Sequence, residues 1–236
     1  NDTVLMSNTI NNLGALYGYK GDMDMAYNYF VESAELCEMS GDLEGASGSY
    51  TNLAAIFFNH VEHHDKAIES YNKAMEISKT LIQTNQIATL YSARAMGFRK
   101  ENKYKESLKY YQLAISIEKD ENDLSSLVSL YINMSSLYLV VNKRKEAEKY
   151  ANLAIEIALK LNSPDDIMRS YESLADVHER SGNMGKALKN YKKSIIWKDT
   201  IYNQASETAM AEMTAKYSLE KKEKENEILK QDAAIS

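Results

Sequence analysis

One spacing governs what this chain can fold into. Ala26, Ala67, Ser107, Ala147 and Ala187 recur at intervals of 41, 40, 40 and 40 residues. A fixed period of this length belongs to repeat arrays, whose units are too small to bury an apolar face alone and do so by stacking on their neighbours. Four residues after each member stands an aromatic, Phe30, Tyr71, Tyr111 and Tyr191, with Ala151 beside Tyr150 in the fourth set. A second small column follows at Ser33, Ala74, Ala114, Ala154 and Ser194. Spacings of four and three place these side chains on one helical face.

Another pattern precedes each set. A bulky residue (Ile10, Tyr50, Tyr91, Tyr131, Tyr171) leads to Leu13, Leu53, Arg94, Met134 and Leu174, then to a small residue (Gly14, Ala54, Ala95, Ser135, Ala175). Three positions on come Tyr17, Phe57, Phe98, Tyr138 and His178. This predicts a second helix, whose small residue admits its partner while the aromatic fills the space alongside. Each repeat is therefore a helical hairpin. The chain has only nine glycines and one proline in 236 residues, which suits long helices. Gly21-Asp22, Gly41-Asp42 and Gly182-Asn183 pair a glycine suited to a left-handed helix end with a residue that caps the next helix. Asn102 and Asn142 suit the same helix ends. Ser163-Pro164-Asp165-Asp166 reads as a cap, a proline at the first helical position and two carboxylates at the positive end of a helix dipole.

Over roughly residues 4–200 these columns resemble the tetratricopeptide repeat (TPR): bulky-x-x-Leu-Gly/Ala/Ser-x-x-Tyr, then Ala-x-x-x-Tyr/Phe-x-x-Ala. The resemblance implies an all-α fold, a right-handed α-solenoid of five helical hairpins, and a non-catalytic module that binds proteins or peptides. That repeat ordinarily spans about 34 residues, so a period of 40 requires helices lengthened by about one and a half turns per repeat. One further residue falls in the turn of the second repeat, within His60-Val61-Glu62-His63-His64-Asp65. Extending the columns once more lands on Ala211, Thr214, Ala215, Ser218 and Glu227, so the array is expected to stop near residue 200. Two regions follow: a repeat domain over 1–200, and a helix over 201–236 that first caps and then extends away from the last hairpin. Tyr202, Ala205, Ala209, Met210, Met213 and Tyr217 form its apolar stripe. The N-terminal end has no comparable cap, and further repeats are expected upstream.

Composition narrows the function. The net charge is −6 and no basic block occurs, so direct nucleic-acid contact from this segment is not expected. No window of about eighteen apolar residues is present to span a bilayer. No phosphate-binding Gly-rich loop, His-Glu-x-x-His or Cys-x-x-Cys occurs, and neither cofactor nor metal is expected. The His60, Glu62, His63, His64 and Asp65 cluster has ligand chemistry, but the inserted residue favours a solvated turn. Cys37, Trp197, the methionines and His178 read as core packing.

The concave wall of a solenoid is the place for a ligand. Asn12, Asn52 and Asn133 share one column there, with Ala93 and Ser173 in the other repeats. A side-chain amide both donates and accepts, as one backbone amide of an extended peptide requires; the same Asn recurs in TPR sequences and also serves neighbouring groups. Arg94 is the one charge in its Leu/Met column, either paired internally or facing an anionic ligand together with Arg99. The Lys/Arg clamp by which some TPR adaptors hold a C-terminal carboxylate is missing.

The polar run from Lys216 to Lys230 resembles the region following the TPR sensor of a bacterial group of membrane-linked signalling proteins and transcriptional regulators. That resemblance implies a sensor on the periplasmic side of a membrane protein, anchored only by a segment outside this chain, with the C-terminal helix relaying a signal or forming a homodimer. The alternative is a cytoplasmic TPR scaffold or chaperone-like adaptor.

Overall fold

The computed structural model describes residues 2–58 and 64–203. Nine helices have both ends among them: α1 (Asp2–Lys20), α2 (Met23–Ser40), α3 (Leu43–Phe57), α4 (His64–Thr80), α5 (Thr84–Lys100), α6 (Tyr104–Asp120), α7 (Leu124–Val140), α8 (Arg144–Leu161) and α9 (Pro164–Arg180). A tenth, α10, runs over residues 184–203. They pair as five hairpins, α1/α2 through α9/α10, in an all-α repeat fold with no strand among the described residues.

The 40-residue period has a simple origin. Helices of 17 residues, as in α5, α6 and α7, alternate with three-residue turns. Every described turn between helices contains one left-handed residue: Gly21, Gly41, Ile82, Asn102, Asn122, Asn142, Asn162 or Gly182. At the turn after α6, Asn122 N donates to Lys119 O (3.2 Å) and Asp123 N to Glu118 O (2.9 Å), the paired bonds that close a helix end. Asp123 O then accepts from Leu127 N at 3.2 Å, so a single residue closes one helix and opens the next. Its side chain also caps Ser126 N at 3.0 Å, as Asp22 and Asp42 cap Met25 and Gly45. Asn122 and Asn162 extend the pattern seen in Asn102 and Asn142, whereas Ile82, at φ 56°, is a β-branched residue in a conformation that disfavours it. Pro164 stands at the start of α9 as expected, but Ser163 does not cap the backbone; its hydroxyl donates to Asp166 Oδ2 at 2.9 Å.

Both small columns are buried throughout, and so are Phe30, Tyr111 and Ala151 between them. Ser107, the hydroxyl in the alanine column, donates to Ala95 O on α5 at 2.7 Å, so it costs the interior nothing unpaired. Cys37 and His178 are buried, and Trp197 packs against the central cluster. Leu13, on α1, departs from its column by being 36% exposed. No described helix is long and apolar enough to cross a membrane. The side chains of residues 60–64 and the helix expected beyond residue 203 lie outside the described residues.

Candidate functional site

The first helix of each hairpin, α1, α3, α5, α7 and α9, forms one row. Within it α1 packs on α3, α3 on α5 and α7 on α9, but α5 and α7 barely touch. Two clefts occupy the gap, with Met96 in the wall of both.

The first, about 250 Å³, opens near the starts of α5 and α7. Ala55, Ala88, Ala93, Met96 and Leu130 supply apolar walls, while Thr89, Ser92, Ser125, Ser126 and Ser129 supply hydroxyls. Glu118 of α6 is part of this lining although only 3% exposed. Its Oε2 is buried and accepts no hydrogen bond. Burial first, then the negative charges of Asp123 and Glu121, push its carboxyl up to about 7.

The second cleft, about 460 Å³, lies toward the ends of α5 and α7. Arg99, Lys100, Asn133 and Tyr111 line it, so two of the residues singled out from sequence, Arg99 and Asn133, are brought together. Arg99 Nη2 donates to Ser136 Oγ across the gap at 2.9 Å. The Tyr111 hydroxyl is buried without a partner, and burial pushes its pKa up to about 12 against a lowering by Arg99. It remains a neutral donor at any physiological pH.

The remaining predicted residues lie elsewhere. Asn12 is exposed on α1. Asn52, exposed on α3, donates to Asn11 Oδ1 at 3.4 Å, a long bond that ties α3 to α1. Arg94 lines neither cleft. Its guanidinium lies 4.1 Å from the Phe98 ring centre and 5.2 Å from that of Phe58, with Nη1 3.7 Å from Glu101 Oε1. These contacts make an internal ion pair with two ring contacts beside it. Glu118 was the residue to find: its column reads Cys37, Ser78, Glu118, Ala158 and Lys198, of which the first four are buried, and Glu118 is the one carboxylate among those four.

The tetratricopeptide repeat family matches residues 5–80. A sequence comparison with curated proteins finds no match. Among solved structures, BtubC (BKLC) from P. vanneervenii is similar with a TM-score of 0.69 and 21% identity, over 85% of this chain and 82% of that one. A Rap protein complexed with competence and sporulation factor gives 0.64 and 14% identity, over 85% and 66%. The apo quorum sensor NprR from B. thuringiensis gives 0.62 and 20% identity, over 80% of this chain and 52% of that one, so this chain spans about half its length. The match to the tetratricopeptide repeat covers residues 5–80, and the helical hairpins continue at the same 40-residue period through the rest of the described residues.

Proposed function

We propose that this chain is a non-catalytic module that holds an extended polypeptide on the row formed by α1, α3, α5, α7 and α9. The observation that carries this reading is the separation of α5 from α7. It leaves paired clefts whose walls offer apolar surface, and whose ends offer a buried carboxyl at one side and Arg99, Lys100, Asn133 and the Tyr111 hydroxyl at the other. Arg99 is positioned for a carbonyl or carboxylate and Asn133 for a backbone amide. Asn12 and Asn52 extend the amide column along α1 and α3. The likeness in fold to a Rap protein bound to its factor and to the sensor NprR supports a regulatory role, as the sensing part of a bacterial signalling or transcriptional regulator.

A random peptide library displayed on phage, selected against the chain, tests the reading when followed by hydrogen exchange of the complex. Protection is expected over residues 84–100 and 124–140. Protection confined to 104–120 and 144–161 contradicts it. A scaffold, the competing role, requires the same groove but no response to occupancy. Light scattering with and without peptide, on the chain with and without residues 204–236, separates the two: a peptide-dependent change in mass that requires those residues supports the sensor.

A further inference from the structure

We propose that the cleft between the starts of α5 and α7 is a lysine pocket, in which the ammonium of a bound segment's lysine side chain pairs with the Glu118 carboxylate. This rests on the polypeptide-binding reading only in taking the ligand to be a polypeptide. Four observations converge on it. The carboxyl is buried, one oxygen is without any hydrogen bond, and among the described residues the charges acting on it are negative. In the cleft lining, α3, α5 and α7 contribute alanines, small hydroxyl residues, Met96 and Leu130, and the charged groups acting on the carboxyl, Asp123 and Glu121, are both negative. Asp123 caps α7 and Glu121 accepts from Thr84 Oγ1 at 2.8 Å, so both are held as acceptors and add to the negative potential at Glu118. Finally, apolar walls leading to a carboxylate suit a methylene stem that ends in an ammonium.

In the neighbouring hairpin the equivalent position is Ser78, which is satisfied within the protein by Ser47 Oγ at 2.6 Å and Gln86 Oε1 at 3.2 Å. Glu118 has lost that internal solution. Its counterparts at those two positions are Ala88, whose side chain offers no polar atom, and Ser126, whose hydroxyl is given to Asp123 Oδ2 at 3.0 Å. A buried acceptor without a partner is costly, and a ligand donor is the group that relieves it.

The test uses the whole chain with its glutamate carboxyl carbons labelled for NMR, and Nα-acetyl-lysine methylamide as probe. Adding probe should lower the midpoint of the Glu118 titration by at least one pH unit, since an ammonium stabilises the carboxylate. Affinity should rise about tenfold from pH 6 to pH 8 as Glu118 ionises around pH 7. The Nε-acetylated probe and alanine methylamide, which carries only an α-amine, should leave the midpoint in place. E118Q, checked for folding by thermal unfolding, should bind the probe at least tenfold more weakly. A midpoint unmoved by saturating probe, an equal response to alanine methylamide, or equal binding by E118Q overturns the proposal. A selected peptide that binds E118Q unchanged removes the lysine pocket but leaves the groove. A probe response without any peptide binding does the reverse.

Discussion

Arg99 on α5 and Ser136 on α7 are joined by a hydrogen bond of 2.9 Å from Nη2 to Oγ. It spans the gap between two helices that otherwise barely touch, and it marks the end of the row where the proposed groove is held to a fixed width.

Because Arg99 is half-buried and reachable by water, Arg99→Ala should cost less than about 1 kcal/mol of stability. Its effect on a groove peptide should be larger, on the order of tenfold in affinity, since a charge-assisted contact is lost and the gap is freed. Ser136→Ala, which releases the tether but keeps the charge, should weaken binding less. Thermal unfolding and fluorescence polarisation with a selected peptide measure both quantities.

Ile82 is left-handed at φ 56° and 81% exposed, so its side chain has little packing to lose. Ile82→Gly should raise stability by about 1 kcal/mol, read as a higher midpoint in thermal unfolding, because the left-handed penalty for a residue with a Cβ is removed. Ile82→Asn should capture part of the gain, in line with the asparagines at 102, 122, 142 and 162.

Two glycines within helices should respond in opposite directions. A Cβ at Gly97 would lie 2.6 Å from Cδ1 of the buried Phe58 ring, whereas one at Gly48 meets nothing within 4 Å. Gly97→Ala should therefore destabilise by about 1–3 kcal/mol, because overpacking outweighs the gain in helix propensity. Gly48→Ala should stabilise by roughly 0.5–1 kcal/mol. Urea unfolding of the two variants checks the signs.

Glu118 links stability to pH. Its ordinary value of 4.5 is pushed up to about 7 in the fold. Between these values the unfolded chain has lost this proton and the folded chain retains it, so its contribution to stability is complete below 4.5 and is lost as pH rises through 7. The loss should approach about 3 kcal/mol at most. Glu118→Gln should abolish this part of the decline and leave the variant more stable than the parent at pH 8. Urea unfolding from pH 4.5 to pH 8 measures the difference between the two slopes.

The hairpins were legible because packing between repeated helices demands the same sizes at the same places: Gly14 against Phe30, and Ala95 beside Ser107, are local consequences of size. The left-handed glycines were legible for a similar reason, and Ile82 was not, because closing the turn overrides a side chain's own preference there. The site was legible only in part. Asn133 stood out through its column and Arg99 as a neighbour of Arg94, and the two share a cleft. Arg94 stood out equally but is stacked on Phe98 and paired with Glu101. Which odd residue faces a ligand depends on where neighbouring helices part, and that α5 and α7 part at all is a matter of three-dimensional stacking. Glu118 stands between Ser78 and Ala158 in a column whose first four members are buried, and a carboxylate at that place could have marked it.

The most direct measurement is the affinity of a selected peptide for the parent chain and for the variant carrying both Asn52→Ala and Asn133→Ala. Asn52 is exposed and Asn133 lines a cleft, so the two changes should leave thermal unfolding within about 1 kcal/mol of the parent. Binding should fall at least tenfold if the amide column holds the peptide backbone. Unchanged affinity in a variant that unfolds like the parent would contradict the groove.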